Sequence, residues 1–235
     1  MKVFPVVILA GGLGTRLGDI SKKVPKSMVL LDKKPFLHYQ LKYLNLQGVK
    51  RVIICSGYLG EQIEEFFGNG AKYNLEIIYS PEGDQKLGTG GALLNAKNLL
   101  PDCFFLMYGD SFLPISFQDV QSFFLENSCL ALMTVMNNAN KWDKSNVVLR
   151  QNNLIFYDKF NTDLEMNYID YGLTLLSKKA LFFYKFNKKF DLSKFYNSLS
   201  IDKFLHGYVV KKRFYEIGSI IGLDETRKFL KNYFR

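Results

Sequence analysis

The sequence predicts an α/β fold: one domain in which helices sandwich a mostly parallel, twisted sheet. Three observations predict it. Over the first 110 residues, apolar runs that stop at glycine-rich turns alternate with segments of helical spacing. The 235 residues, 48% apolar and 23% charged, match a compact globular domain and exclude collagen-like, disordered and disulfide-scaffold classes. No Pro/Ser/Gly-rich linker and no internal repeat divides the chain, so residues 1–110 and 111–235 read as halves of a single domain.

Each element has a local reason. Residues 6–9 (Val-Val-Ile-Leu) form the aliphatic, β-branched run of a strand buried on both faces. Across 35–46, Phe36, Leu37, Leu41, Leu44 and Leu46 recur at helical spacing, with Pro35 suited to the start and Gly48 to the end. A strand over 51–55, a short helix over 61–67 closed by Gly68, a strand over 75–79, a helix over 90–100 and a strand over 104–107 stopping at Gly109-Asp110 continue the alternation. Stacked βαβ units have this rhythm, and their crossovers are right-handed. Beyond residue 128 the rhythm changes. Strands are predicted over 130–136, 146–149 and 154–157, then a helix over 192–205 and a last helix over 224–234 with Phe229, Leu230 and Phe234 on one stripe.

Charge and cysteine usage bound the function. Thirty-one Lys and Arg against 22 Asp and Glu leave a net +9, which favours anionic partners. The lysines are scattered in ones and twos with no block of five like charges, so no nucleic-acid partner is expected. Cys55, Cys103 and Cys129 lie in or beside apolar runs without a CxxC pair and read as buried free thiols in a reducing compartment. His38 and His206 are too few and too far apart for a zinc site. Residues 3–10 lead straight into Gly11-Gly12 and not into a cleavage site, and no apolar run approaches membrane-spanning length. No membrane partner and a cytoplasmic location are therefore expected.

The strongest motif is Leu9-Ala10-Gly11-Gly12-Leu13-Gly14-Thr15-Arg16-Leu17-Gly18, with Pro25-Lys26 soon after. Glycines directly after a buried strand let the backbone approach a ligand, free N–H groups there cradle an anion, and Arg16 and Lys26 add charge for phosphate oxygens. A Walker A loop is excluded, because Gly14-Thr15-Arg16 stands where Gly-Lys-Ser/Thr belongs. A dinucleotide fingerprint fails too: Leu17 occupies its third glycine, and Asp32-Lys33-Lys34-Pro35 reads as a turn and not as the end of a second strand.

Gly11-Gly12-x-Gly14-Thr15-Arg16-Leu17 followed by Pro25-Lys26 resembles the signature of the nucleotidyltransferases that join a nucleoside triphosphate to a sugar 1-phosphate. Further segments fall in that family's order. Leu87-Gly88-Thr89-Gly90-Gly91-Ala92-Leu93 is similar to its base-recognition loop, Gly109-Asp110-Ser111 to its metal-binding Gly-Asp, Asp158-Lys159 to its Glu-Lys pair, and Tyr215-Glu216-Ile217-Gly218-Ser219 to its closing (D/E)-x-G-(T/S). The resemblance runs from residue 1 to about 224. Residues 87–93 and Pro35-Phe36-Leu37 look most like the heptose 1-phosphate guanylyltransferase branch.

The resemblance implies a Rossmann-like, GT-A-like α/β/α sandwich with a mostly parallel central mixed sheet, residues 1–110 forming the nucleotide-binding half and 111–235 the sugar-phosphate-binding half. It implies Mg²⁺-dependent transfer of a nucleoside monophosphate from a triphosphate to a sugar 1-phosphate, with release of pyrophosphate. GTP and a heptose 1-phosphate are favoured over mannose 1-phosphate with GTP and over CTP-, UTP- or dTTP-dependent variants. The product would be an activated sugar for capsule or lipopolysaccharide synthesis, and family members are often homo-oligomers. Carried onto this chain, Leu9, Ala10, Gly11, Gly12, Gly14, Thr15, Gly88 and Thr89 bind the nucleotide, and Arg16, Lys26 and Asp110 are catalytic. Lys159, Asp170 and Gly172 bind the sugar phosphate, and Asp110 and Glu216 hold the metal. Glu216 stands where the family more often has Asp, and Tyr168-Ile169-Asp170-Tyr171-Gly172 departs from the common Asn-Ala-Gly or Asn-Gly-Gly.

These residue types suit the reaction. Two polyanions must approach, so fixed positive charge is needed around both. A phosphate monoester oxygen is already anionic at neutral pH, so no side-chain base is required, and neutralisation with in-line positioning suffices. A glycosyltransferase on a similar sheet would want Asp-x-Asp, which Asp110-Ser111-Phe112 lacks, and a non-catalytic nucleotide-sugar sensor would be expected to have lost Arg16, Lys26 or Asp110. Trp142, flanked by polar residues, reads as a rim residue half-packed on the core, and the aromatic, lysine-rich stretch 182–190 as core packing with snorkelling lysines.

Overall fold

The computed structural model describes every residue except Leu13, residues 15–22, Asp84, Ala139 and residues 161–164. Its first half comprises β1 (Val6–Leu9), the short β2 (Leu30–Leu31) and β3 (Lys34–Pro35), α1 (Phe36–Leu46), β4 (Arg51–Ser56), α2 (Glu61–Phe67), β5 (Glu76–Pro81), α3 (Gly88–Asn95) and β6 (Cys103–Tyr108). The second half comprises β7 (Ser111–Phe112), α4 (Phe117–Glu126), β8 (Ala131–Asn137), β9 (Val147–Leu149), β10 (Ile155–Tyr157), β11 (Tyr168–Ser177), α5 (Leu192–Ile201), β12 (Leu205–Val210), β13 (Tyr215–Glu216) and α6 (Ile220–Tyr233).

The main sheet runs β10-β9-β11-β6-β1-β4-β5, with β8 beside β11 and β12 beside β8. The ladders joining β5, β4, β1 and β6 are parallel, β11 is antiparallel to β6 and β8, and β12 is parallel to β8. Alternation along each central strand splits the core into two layers. Val6, Ile8, Val52, Ile54, Phe105 and Met107 face α1, α2, α4 and α6. Val7, Leu9, Ile53, Cys55, Phe104 and Leu106 face α3 and α5. The molecule is the expected α/β/α sandwich, and each large apolar side chain buried in it contributes about 1.5–3 kcal/mol.

Several elements differ from the sequence expectation. The helix expected over 192–205 ends at Ile201: Lys203 takes a left-handed φ of 61°, the Phe204 N–H donates to the Leu199 carbonyl, and Leu205 opens β12 against β8. A ladder bonds every residue of β12, which outweighs the helical spacing read from the sequence. The helix expected over 90–100 occupies Gly88–Asn95. α4 was not expected, although Ser116 accepts from the Asp119 N–H as a helix cap and Phe117, Val120 and Phe124 lie on one stripe. β11 was not expected either, because Asp170 and Gly172 interrupt its apolar run. The pairing register of β11 with β8 shifts between Asp170 and Thr174, and Gly172 has a φ of 98° at this bulge. Asp32 and Lys33 both have positive φ between β2 and β3, so this is the turn expected there. The three cysteines are free, Cys55 and Cys129 buried and Cys103 half-buried.

Candidate active site

A cleft of about 780 Å³ opens at the carboxyl ends of β1, β4, β5 and β6, where the turns after parallel strands converge. Leu9, Ala10, Gly11, Gly12, Lys26, Gly88, Thr89 and Asp110 all line it. Their meeting depends on close backbone contact. The Ala10 N–H donates to the Cys55 carbonyl at 2.8 Å, and a Cβ on Gly57 would lie 2.9 Å from the Gly11 Cα. Among the described residues nothing lies within 4 Å of where a Cβ on Gly12 would stand, which suits a backbone that must let a ligand approach. Gly14 has a φ of 62° and is not among the residues lining the cleft. Thr15 and Arg16 lie outside the described residues.

Lys26 Nζ donates to Asp110 Oδ2 at 2.5 Å, a contact between residues 84 apart in the sequence. Asp110 Oδ1 accepts from the Ser111 hydroxyl at 3.0 Å. The turn carrying Asp110 is held from two sides: the Gly109 N–H donates to the Leu9 carbonyl, and the Ile217 N–H donates to the Asp110 carbonyl. Glu216 is the register partner of Ser111 in the β7–β13 ladder, so the two expected metal-binding acids arise from neighbouring strands. Among the described residues no three His, Cys, Asp or Glu side chains converge. Two hard carboxylates without nitrogen or sulfur donors nonetheless fit Mg²⁺, which keeps several waters and takes substrate phosphates as further ligands.

β13 is braced by stacking. Tyr215 lies 3.8 Å from Phe229 at an interplanar angle of 13°, and the Thr226 hydroxyl donates to the Glu216 carbonyl at 2.8 Å. The Arg213 guanidinium sits 3.9 Å above the Trp142 ring and pairs with Glu225 on α6. Trp142 is exposed and belongs to neither core layer, so in place of the expected half-packing on the core it carries a cation on its face. Its loop is tied at Asn138, whose Oδ1 accepts the Trp142 N–H at 3.1 Å.

Lys159, Asp170 and Gly172 gather beside the cleft, not in its lining. The Asp158 N–H donates to the Asn146 carbonyl, and Asn146 Oδ1 accepts the Asp170 N–H at 2.9 Å, so one asparagine joins both segments. Lys159 Nζ pairs with Asp191 Oδ2 at 3.4 Å. Burial pushes the Asp170 carboxyl up to about 6, opposed by the Gly172 N–H, which donates to Oδ1 at 2.8 Å, and by the charge of Lys159. Against the effect of burial, hydrogen bonds from Ser193 and then the pairing with Lys159 lower the Asp191 carboxyl.

The expected base-recognition loop is held by the segment before α5: the Thr89 hydroxyl accepts the Leu192 N–H at 2.8 Å. A Cβ on Gly90 would stand 2.3 Å from the Phe190 ring, and one on Gly91 would stand 2.4 Å from the Lys188 carbonyl. Those two glycines admit the 188–192 segment, and Gly88 and Thr89 reach the cleft.

Sequence reading missed Glu82, which follows β5 and lines the cleft. Its Oε2 accepts the Leu87 N–H at 3.1 Å, and its Oε1 would lie 2.7 Å from a Cβ on Gly11, so it spans the glycine turn and the α3 loop. Burial raises its carboxyl, and the Leu87 N–H opposes the shift. A carboxylate just past the carboxyl end of a parallel strand was the available signal, and Pro81-Glu82-Gly83-Asp84 disguised it as an ordinary turn.

The Nucleotidyl transferase family model matches residues 5–159. A D-glycero-alpha-D-manno-heptose 1-phosphate guanylyltransferase of Aneurinibacillus thermoaerophilus is 30% identical over 97% of this chain and 98% of its own length. One of Campylobacter jejuni subsp. jejuni is 34% identical over 80% of this chain and 83% of its own. The crystal structure of HddC from Yersinia pseudotuberculosis complexed with GMP-PN superposes with a TM-score of 0.78 at 26% identity, covering 96% of this chain and 99% of that one. A UDP-glucose pyrophosphorylase complexed with UDP-glucose shares the fold, with a TM-score of 0.80 at 19% identity over 99% of this chain and all of that one. With the cleft, the motif order and these full-length similarities in agreement, the chain belongs to the nucleotidyl transferase family.

Proposed function

We propose that the protein transfers GMP from GTP to a heptose 1-phosphate, giving a GDP-heptose and pyrophosphate for surface glycan synthesis. An oxygen of the sugar phosphate attacks the α-phosphorus of GTP, a new P–O bond forms, the bond from that phosphorus to the bridging oxygen of the β-phosphate breaks, and pyrophosphate leaves. No proton has to be removed from the nucleophile. The observation that carries the reading is the shared cleft in which the glycine turn, Lys26 and Asp110 face one another. Lys26 neutralises the transferred phosphate, whose oxygens replace Asp110 as its partner, and Arg16 takes the charge on the departing pyrophosphate. Asp110 and Glu216 would hold Mg²⁺, which when bound would supply charge neutralisation for the phosphates. Lys159, with Asp170 and Gly172, receives the acceptor.

Guanine is favoured by Glu82 and by the guanylyltransferase relatives. The Watson–Crick edge of guanine presents two adjacent donors, N1–H and the 2-amino group, to which an acceptor-only carboxylate is matched. Uracil and thymine place carbonyls on both sides of a single N–H and would repel it.

The test is pyrophosphate release with GTP, ATP, UTP, CTP and dTTP, each against heptose, mannose and glucose 1-phosphates with Mg²⁺. GTP with heptose 1-phosphate is expected to exceed every other pair in kcat/KM by at least about tenfold, the scale of one matched polar contact. Equal rates with UTP would defeat the base assignment, and silence across all pairs would defeat the activity.

A further inference from the structure

Gln40 lies on the apolar stripe of α1, between Leu37 and Leu44, and is almost wholly buried. Its Nε2 uses both hydrogens: one goes to the Tyr108 carbonyl at 3.0 Å and the other to the Ser111 carbonyl at 2.8 Å. These carbonyls bracket Gly109-Asp110. With the Asp110 carbonyl taken by the Ile217 N–H, the backbone acceptors at 108, 110 and 111 are all bonded by neighbouring elements.

The contact does not stand alone. One turn along α1, the Tyr43 hydroxyl donates to the Ile115 carbonyl at 2.9 Å, and Gln47, which caps the end of α1, accepts the Phe117 N–H on Oε1 at 3.0 Å. Residues 40 and 43 on the buried face of α1 and Gln47 at its end therefore form a row of polar contacts that follows the chain from 108 to 117. The arrangement leaves one group unmatched, since Gln40 Oε1 is buried with no hydrogen-bond partner among the described residues. Retaining a half-satisfied amide in an otherwise apolar stripe costs stability that leucine would not.

We infer that Gln40 is a positioning residue for the reaction: α1 carries a row of polar side chains whose first member, donating to two carbonyls, fixes the backbone on both sides of Asp110 and so sets the direction of the metal-binding carboxylate. This rests on the assignment of Asp110 to the metal under the proposed function, and its test has a part that needs no ligand. Gln40→Met keeps the volume and removes both donors, whereas Tyr43→Phe and Gln47→Met each remove one bond farther from Asp110.

In the free protein, hydrogen exchange of the peptide spanning 108–112 is expected to speed up by about fivefold in Gln40→Met, the equivalent of one net hydrogen bond, and to stay within about twofold in the other two variants. Mn²⁺ binding, followed by electron paramagnetic resonance with a non-hydrolysable GTP analogue present, is expected to weaken by at least about fivefold in Gln40→Met alone. Turnover should fall with it while KM for the sugar phosphate holds. Gln40→Glu, with lone pairs facing two carbonyls, should be worse than methionine on every readout. The inference is overturned if Gln40→Met matches wild type in exchange and Mn²⁺ affinity, or if all three variants lose both in proportion to their thermal stability. Should the wild type bind no metal–nucleotide complex while the exchange pattern follows expectation, the functional reading fails and the backbone restraint by Gln40 stands.

Discussion

Asp110 is the residue on which the proposed chemistry converges. It accepts from Lys26 and Ser111, sits on a turn held at three carbonyls, and directly precedes Ser111, the β7–β13 ladder partner of Glu216. Removing its charge without changing its shape should therefore strike turnover and not folding. Asp110→Asn is expected to lower kcat by at least about a hundredfold, the scale of one preorganised electrostatic contact, with a thermal midpoint near wild type. A rate within tenfold of wild type would remove it from the mechanism. Asp170 makes a prediction of a different kind. Its carboxyl is raised from 3.8 to about 6 in the fold, so the folded state holds the proton more tightly than the unfolded chain. The stabilisation is complete below pH about 4 and is lost as pH rises through about 6. In urea unfolding, wild type should therefore lose ground to Asp170→Asn between pH 4 and 7, and a constant difference across that range would contradict the shift.

At the scale of elements, the glycines after β1 and those opening α3 serve opposite purposes despite their similar appearance in sequence. Gly12 lines the cleft with no described residue within 4 Å of a would-be Cβ, while the space beside Gly90 and Gly91 is filled by Phe190 and Lys188 of the segment leading into α5. Gly91→Ala should on local grounds strengthen α3 by about 1 kcal/mol, since alanine is the better helix former. Here the added methyl meets a backbone carbonyl at 2.4 Å, which cannot rotate away. Overpacking of this kind costs about 1–3 kcal/mol, so the variant is expected to melt below wild type. A raised melting temperature would show that the 188–192 segment yields easily. The second half owes its order to similar cross-element contacts. Tyr215 on Phe229, Arg213 on Trp142 and Thr226 on Glu216 together hold a two-residue strand that is too short to be stable by itself.

Across the whole molecule, legibility followed the distance over which each decision was made. Val6–Leu9, Glu61–Phe67 and the Gly109-Asp110 stop are encoded by runs of a few residues, and each stands where the sequence placed it. β11 was not legible, because its pairing on both sides outweighs the Asp170 and Gly172 interruptions, and neither β6 nor β8 is near it in sequence. Gln40 did leave a trace, a polar residue on the stripe of Phe36, Leu37, Leu41 and Leu44, but its target lies 68 and 71 residues away. The sequence by itself determined the sandwich, the glycine turn and the order of motifs that marks the family, since these depend on local conformation and on spacing along the chain. Only the tertiary structure decided which glycines line the cleft and which pack against protein, that Lys26 meets Asp110, and that Glu82 and Gln40 reach the site. Those outcomes depend on which carbonyls, carboxylates and rings arrive at the same few ångströms after the strands have paired, and local patterning does not encode that.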